Sequence, residues 1–303
     1  MTRTVLAIDI GGTKIAAGLV DEAGTVLAEA VVPTPTGDAE QTWQAVADCA
    51  RQVLGDTSVE AIGACCAGPV DIGAGTVSPI NITCWREFPL RARLRELATG
   101  ATVELAGDGV CMALGEHWLG AGQGSEFMLG MVVSTGVGGG LVLGGRPYPG
   151  RTGNAGHIGH VIVEDDGWPC TCGGRGCVET VASGPNMVRW ARTQGWQAPD
   201  HADAAHLAAA ANHGDKIALA TFQRGGRAVG MAIAATAVVC DLELAVIGGG
   251  VSKAGDLLFD PVREALADHA RLSYVDQLRI APAALAKNAG MIGAAAMALR
   301  ADI

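Results

Sequence analysis

The sequence predicts an α/β fold of two similar lobes with a ligand cleft between them. Three observations carry this prediction. A unit of strand, glycine-rich turn and strand occurs twice, over Val5–Val20 and Met128–Leu143. A further strand, Leu244–Ile247, runs into Gly248-Gly249-Gly250. Glycine reaches 44 copies in a 303-residue chain that is 49% hydrophobic and 17% charged, a composition suited to tight turns and close backbone approach inside an apolar fold. Internal duplication implies paired lobes, and the cleft between lobes is where ligands bind.

Val5–Ile10 is an apolar run broken only by Asp9 and reads as a buried strand. Gly11-Gly12-Thr13 turns the chain into a second strand, Ile15–Val20, and Asp21-Glu22-Ala23-Gly24 turns it into a third, Val26–Val32. Apolar Trp43, Val46, Ala47 and Ala50 at helical spacing predict a helix over Ala39–Leu54. The strand Ala61–Cys66 follows and ends in Gly68-Pro69. Asp108 stands where a helix N-cap is expected, ahead of a helical run over Val110–Leu119. Gly120, Gly122 and Gly124 mark the lobe junction, which puts the N-terminal lobe at 1–120 and the C-terminal lobe at 121–289. There Met128–Val133, the turn Ser134–Gly140 and Leu141–Leu143 repeat the opening unit. Ala228–Cys240 is too short to span a bilayer and reads as a buried helix. A last helix over about Ala284–Ala301 is expected to pack its 290–303 stretch back on the first lobe.

The net charge of −10 argues against nucleic acid as a partner, which requires clustered Lys and Arg. Nucleotide remains open to an acidic protein, because backbone N–H groups and Mg²⁺ hold phosphate. No long apolar segment or cleavage site follows Met1, so a cytoplasmic protein without membrane contact is expected. Nine cysteines, an odd number, then point to reduced thiols and a metal site rather than disulfides.

Asp9-Ile10-Gly11-Gly12-Thr13-Lys14 joins strand to strand, unlike the dinucleotide and Walker A loops, which open helices. Its N–H groups, the Thr13 hydroxyl and the Lys14 charge suit phosphate oxygens, and Asp9 suits Mg²⁺ held through water. One such turn is equally an ordinary hairpin. Its recurrence at Ser134-Thr135-Gly136-Val137-Gly138 and at Gly248-Gly249-Gly250 favours a nucleotide cleft. His160, Cys170, Cys172 and Cys177 follow the spacing H-x9-C-x-C-x4-C, which suits Zn²⁺. Four N/S ligands leave no open position, so the metal would be structural. His157 and Glu179 flank these ligands and would be fixed by the metal loop. From position alone, Asp108 reads first as a helix cap, and the lesser reading of His157 is a surface or core histidine.

The glycine turns resemble the phosphate and adenosine motifs of the actin, Hsp70 and hexokinase superfamily. Within it, the chain is similar to the ROK family of bacterial sugar kinases and repressors from Asp9 to Gly293. The family's G-H and C-x-C-G-x-x-G-C-x-E are matched here by Gly159-His160 and Cys170–Glu179. The resemblance implies two ribonuclease-H-like lobes, with a structural zinc loop, that close over sugar and ATP. It makes Asp108 the base that takes the proton of a sugar hydroxyl, the 6-OH, with Gly115-Glu116 matching the end of the helix that follows. It places Gly68, Asn81, Trp85, His157, His160 and Glu179 on the sugar side. The family's Asn before the base is Gly107 here, a loss of one polar contact of about 0.5–1.5 kcal/mol. Family glucokinases carry Glu where this chain has His157. The run Gly156-His157-Ile158-Gly159-His160 is instead similar to the family's N-acetylmannosamine kinases.

The function expected is ATP- and Mg²⁺-dependent phosphorylation of a hexose or N-acylhexosamine, N-acetylmannosamine first and glucose as the alternative, by a homodimer. A sugar-responsive repressor would carry a DNA-binding winged helix, for which a first turn at Asp9 leaves no room, and −10 opposes DNA. A catalytically weak sugar-binding or regulatory protein is the lesser alternative, which Gly107 keeps open and which Asp9, Asp108 and three glycine turns argue against.

Overall fold

The computed structural model describes residues 3–300 and is built on two five-stranded sheets of the same topology. In the first, β1 (Thr4–Ile10), β2 (Lys14–Asp21) and β3 (Val26–Pro33) form an antiparallel meander. Strands β4 (Ala61–Cys66) and β7 (Thr102–Gly107) continue it in parallel beyond β1. In the second, β8 (Phe127–Val133), β9 (Val137–Leu143) and β10 (Arg146–Tyr148) form the meander. Strands β11 (Leu244–Gly248) and β12 (Arg279–Pro282) continue it in parallel. The orders β3-β2-β1-β4-β7 and β10-β9-β8-β11-β12 correspond strand for strand, so the repeat legible in the glycine turns is a repeat of topology. A small hairpin, β5 (Val70–Asp71) with β6 (Thr76–Val77), follows β4.

Helix α1 (Ala39–Leu54) starts at Asp38, whose carboxylate accepts the Gln41 N–H, and buries Trp43, Val46 and Ala50 against the first sheet's Ile8 and Ile62. Helix α2 (Leu90–Arg95) packs on β7. On the second sheet, α7 (Lys216–Cys240) and α8 (Asp256–His269) pack together, with α4 (Val178–Ala182), α5 (Gly184–Thr193) and α6 (Ala204–Asn212) beside α7.

Two helices occupy the space between the sheets. Helix α3 (Asp108–Leu119) lies on β8 and β9, and α9 (Ala289–Leu299) lies on β1 and β4. Together they close a core of Ala7, Cys111, Ala113, Met128, Val246, Ile292 and Ala295. They meet at backbone contact: a Cβ on Gly293 would stand 1.7 Å from the Cys111 carbonyl oxygen. Glu116, fully buried near the end of α3, accepts N–H bonds from Ala121, Ala284 and Leu285. A buried carboxylate is tolerated because these charge-assisted bonds replace its water.

Three elements depart from the sequence reading. Strand β9 begins at Val137, so Gly138–Gly140 are strand residues rather than turn. At Gly140 the reason is α3, since a Cβ there would stand 2.5 Å from the Val110 Cα; at Gly139 it is Gly130, whose carbonyl a Cβ would meet at 2.7 Å. Helix α7 begins at Lys216, well before Ala228, because glycines at its contact with α8 obscure its apolar period; a Cβ on Gly226 would meet the Leu258 carbonyl at 2.7 Å. Helix α9 begins at Ala289 rather than Ala284, since Glu116 holds the Ala284 and Leu285 N–H groups in a loop. The expected stretch beyond Arg300 lies outside the described residues. Among the described residues, no helix is long and apolar enough to cross a membrane.

The α3–α9 contact yields a stability prediction. Gly293→Ala inserts a methyl where no space exists and is expected to destabilise by about 1–3 kcal/mol in urea unfolding, despite the better helix propensity of Ala. An unchanged or raised midpoint would contradict the contact.

Candidate active site

The carboxyl ends of β1, β4 and β7 form one floor. The register sets Asp9 opposite Cys65 and Cys65 opposite Ala106, and Asp108 follows directly after β7. Open α/β sheets bind ligands at this end of parallel strands. The N-cap of α3 is Gly107, without a side-chain cap bond, and Asp108 is the first helical residue. The capping role that its position allowed therefore falls away; its carboxylate accepts the neighbouring Gly109 N–H, at 2.8 Å. Asp108 lies deep in the protein, yet its surface stays open to the cleft. Its pKa is pushed up to about 6, first by desolvation, with the Asp9 charge adding and the Gly109 bond opposing. Asp9 is also held above the usual carboxylate range by burial, against the Cys65 thiol, which donates to it at 3.0 Å, and the Lys14 charge. Sequence reasoning missed Cys65 because nothing local marks a thiol as a carboxylate partner.

The two turns are built alike. Gly11 spends its N–H on the Lys14 carbonyl, which leaves the Gly12 and Thr13 N–H groups donating to no described residue. Ser134 spends its N–H on the Gly136 carbonyl and likewise leaves those of Thr135 and Gly136. Each turn thus presents two adjacent donors, which suits phosphate oxygens. Ser134, Thr135 and Gly250 line one cavity of about 510 Å³ together with Asp203, at the start of α6, and Lys253. Gly136, Gly138, Gly248, Gly249 and the Asp9–Lys14 turn do not line it. Gly248 closes strand β11, and Gly249, at φ +97°, sits where a Cβ would strike the Val133 carbonyl at 2.3 Å. Those two glycines therefore shape the cavity from behind. Asp203 and Lys253 carry no sequence signal, since Asp203 reads as the cap it also is.

His160, Cys170, Cys172 and Cys177 converge, with all four ligand atoms within 4.8 Å of one another. Cys172 and Cys177 sulfurs lie 3.7 Å apart, and Cys170 Sγ lies 3.6 Å from His160 Nδ1. A tetrahedron with Zn–S of about 2.3 Å and Zn–N of about 2.0–2.1 Å has edges of about 3.8 Å and about 3.6 Å. The donor set therefore fits zinc in both chemistry and spacing. The loop is a short hairpin, with bridges Ile162–Cys177 and Pro169–Arg175, anchored where Arg189 of α5 stacks 3.6 Å from the Trp168 ring.

This loop carries the facing wall. A Cβ on Gly68 would stand 3.0 Å from His157 Cε1, so His157 of the second lobe lies across from the end of β4. Desolvation, with His160 beside it adding, holds the pKa of His157 below the usual value against the pull of Glu179, which favours the neutral ring. Glu179 accepts the Val137 N–H at 2.9 Å and so joins the Cys/His loop to the second turn. Asn81 lies over the first turn, within 2.8 Å of where a Gly12 Cβ would be. Trp85 differs from the expectation: it is fully buried, stacked on Phe88 at 4.2 Å, and donates to the Ala39 carbonyl. It supports the wall from the core and offers no face to a sugar. Sequence reasoning also missed Asn154, whose amide pairs with both the N–H and the C=O of Val70, at 3.0 and 2.7 Å, and so ties the loop before His157 to the β5–β6 hairpin.

Comparison with known proteins agrees with this geometry. The model of the ROK family matches residues 5–301. A glucokinase of Thermotoga maritima is 34% identical over 97% of this chain and 96% of its own. An N-acetylmannosamine kinase of Yersinia pseudotuberculosis is also 34% identical, over 96% of each chain. The crystal structure of a ROK family glucokinase from Streptomyces griseus, in complex with glucose and AMPPNP, superposes with a TM-score of 0.83 at 34% identity, over 97% of this chain and 99% of that one.

The thiol–imidazole cluster makes a measurable claim. Protein purified without chelator should carry one zinc per chain by atomic absorption, and Cys177→Ser should lower that content while raising the sugar KM through the loop bearing His157. Wild-type protein free of zinc would contradict it.

Proposed function

This chain belongs to the ROK family and is a sugar kinase, and from that premise we propose that it transfers the γ-phosphoryl group of ATP to the 6-hydroxyl of N-acetylmannosamine. The observation that carries the choice of acceptor is His157. A neutral imidazole both donates and accepts, whereas a Glu there only accepts and so favours free hydroxyls. His157 therefore suits an acetamido group, whose carbonyl needs a donor. Gly107 agrees, since a Cβ there would meet nothing within 4 Å and the wall beside Asp108 is open. Glucose is the second reading, favoured by the glucokinases of Thermotoga maritima and of Streptomyces coelicolor, the latter 33% identical.

In this reading Asp108 accepts the hydroxyl proton as the phosphoryl group departs, and Gly68, Asn81, His157, His160 and Glu179 orient the acceptor. The Gly12 and Thr13 donors with Lys14 hold transferring phosphate oxygens, and Thr135 and Gly136 hold those nearer the nucleoside. The cavity at Ser134, Thr135 and Gly250 takes the nucleoside. Asp9 is the residue to hold Mg²⁺ through water, which neutralises phosphate charge when bound. His160, Cys170, Cys172 and Cys177 hold zinc, which fixes the loop and does no chemistry. The lobes divide at 120/121, with α9 returned to the first. We place the enzyme in the cytoplasm, where ATP is available, as a two-fold dimer acting on sugar and ATP alone.

Two outcomes follow. An ionised Asp108 is required, so kcat/KM should rise with pH along a single acid limb centred at about 6 and level off above it. A flat profile from about pH 5 to about pH 7 would contradict this role. For the acceptor, kcat/KM should favour N-acetylmannosamine over glucose by about 10–10³-fold, from two polar differences of roughly 1–2 kcal/mol each. His157→Glu with Gly107→Asn should move preference toward glucose, and wild type preferring glucose would establish the second reading.

A further inference from the structure

We propose that a cavity behind the catalytic end of α3 is a second small-molecule site, one that takes an organic monoanion with an apolar body. It encloses about 350 Å³, within the range of small-molecule pockets. None of its lining residues belongs to the catalytic, nucleotide, sugar or zinc sets. Its apolar walls are Leu105 of β7, Leu114 and Trp118 of α3, Ile72 of the β5–β6 hairpin and Pro149 after β10, so both lobes contribute.

The polar side of the cavity has an unmet need. Arg91 of α2 lines it, and among the described residues its guanidinium has no hydrogen-bond or ion-pair partner. Its Nε is fully buried in that state, which costs free energy that an anion would recover. Arg93 also has an unpartnered buried Nε, but its guanidinium is paired with Glu40 at 2.6 Å. Arg300 lines the same cavity, 5.4 Å from the Trp118 ring, and Glu104 is its one carboxylate. His117 is engaged with the Ser125 carbonyl at 2.9 Å. Two guanidiniums against one carboxylate leave a single positive charge, which fits a monoanion better than a sugar phosphate or a nucleotide.

The cavity is physically joined to the sugar wall. Arg91 donates its backbone N–H to the Gly75 carbonyl at the tip of the β5–β6 hairpin. The other side of that hairpin is bound to the second lobe by Ile72 N–H to the Thr152 carbonyl and by the Asn154 amide on Val70. A ligand on Arg91 and Ile72 thus touches the hairpin that adjoins Gly68 and faces His157. Occupancy should change sugar affinity, and by linkage sugar should change the anion's affinity by the same factor. This coupling rests on the sugar site being at Gly68 and His157; the binding itself does not.

The test is calorimetric titration of the full-length protein, without sugar or nucleotide, using phenylacetate, its neutral analogue benzyl alcohol, and glucose 6-phosphate. Phenylacetate should bind once per chain, and benzyl alcohol about 10-fold more weakly or worse. Arg91→Leu should weaken phenylacetate about 10-fold and leave benzyl alcohol unchanged. Because that guanidinium has no partner to lose, the variant should keep its Tm. If it does not fold, Arg300→Gln, at an exposed position, decides with an expected weakening of about 3-fold. No phenylacetate binding at about 10 mM, equal binding by wild type and both variants, or displacement by glucose 6-phosphate would each overturn the site. A sugar KM unmoved by saturating phenylacetate would overturn the coupling. These titrations need no turnover, so they read the same whichever sugar the enzyme accepts.

Discussion

The structure depends on the backbone contacts of α3. This helix begins with Asp108, crosses β9 where neither Gly109 nor Gly140 has room for a Cβ, and meets α9 at Gly293. Its far end is tied by Glu116 to the loop before α9. Side chains at those crossings would push the helix outward by ångströms, and Asp108 would leave the floor formed by β1 and β4. Close packing is therefore what places the carboxylate, and the glycines that looked like turn residues are largely packing residues.

Placement then sets chemistry. Depth in the protein and the neighbouring Asp9 raise the pKa of Asp108 to about 6, close enough to neutrality to suit the proposed base, which must be ionised yet willing to take a proton. Asp9 is steadied by Cys65 and Lys14, which keeps two acidic groups compatible at one sheet end. The thiol–imidazole loop lies on the opposite lobe. A spacing of thiols and imidazole that fits a tetrahedral ion fixes the hairpin that presents His157 toward Gly68, and Glu179 toward the second turn. On the proposed reading, one lobe supplies the base and the other the recognition wall, so the geometry between the sheets would govern catalysis.

Much of this was legible in the sequence because its signals are local. The helix over Ala39–Leu54 and the strand over Ala61–Cys66 have the bounds that their apolar patterns predict. The Cys and His spacing found the metal cluster, because four ligands on a short loop have few other arrangements. What was not legible is tertiary. Trp85 looked like a ligand contact and is a core residue, since burial depends on elements far along the chain. Gly140 looked like turn because the partner that requires its bareness, α3, is recognisable only in three dimensions. Asn154, Asp203 and Lys253 stand in unremarkable local sequence, and only the tertiary fold brings Asn154 to Val70 and the other two to the cavity at Ser134.

The central claim is that Asp108 is placed to accept the acceptor's proton and does nothing else that the fold requires. Asp108→Asn keeps the shape and the Gly109 bond but cannot take a proton. Measured with the preferred sugar, kcat should fall by about 10²–10⁴ while calorimetry shows nearly unchanged sugar affinity and Tm is retained. A variant that keeps more than about a tenth of wild-type kcat would contradict the account.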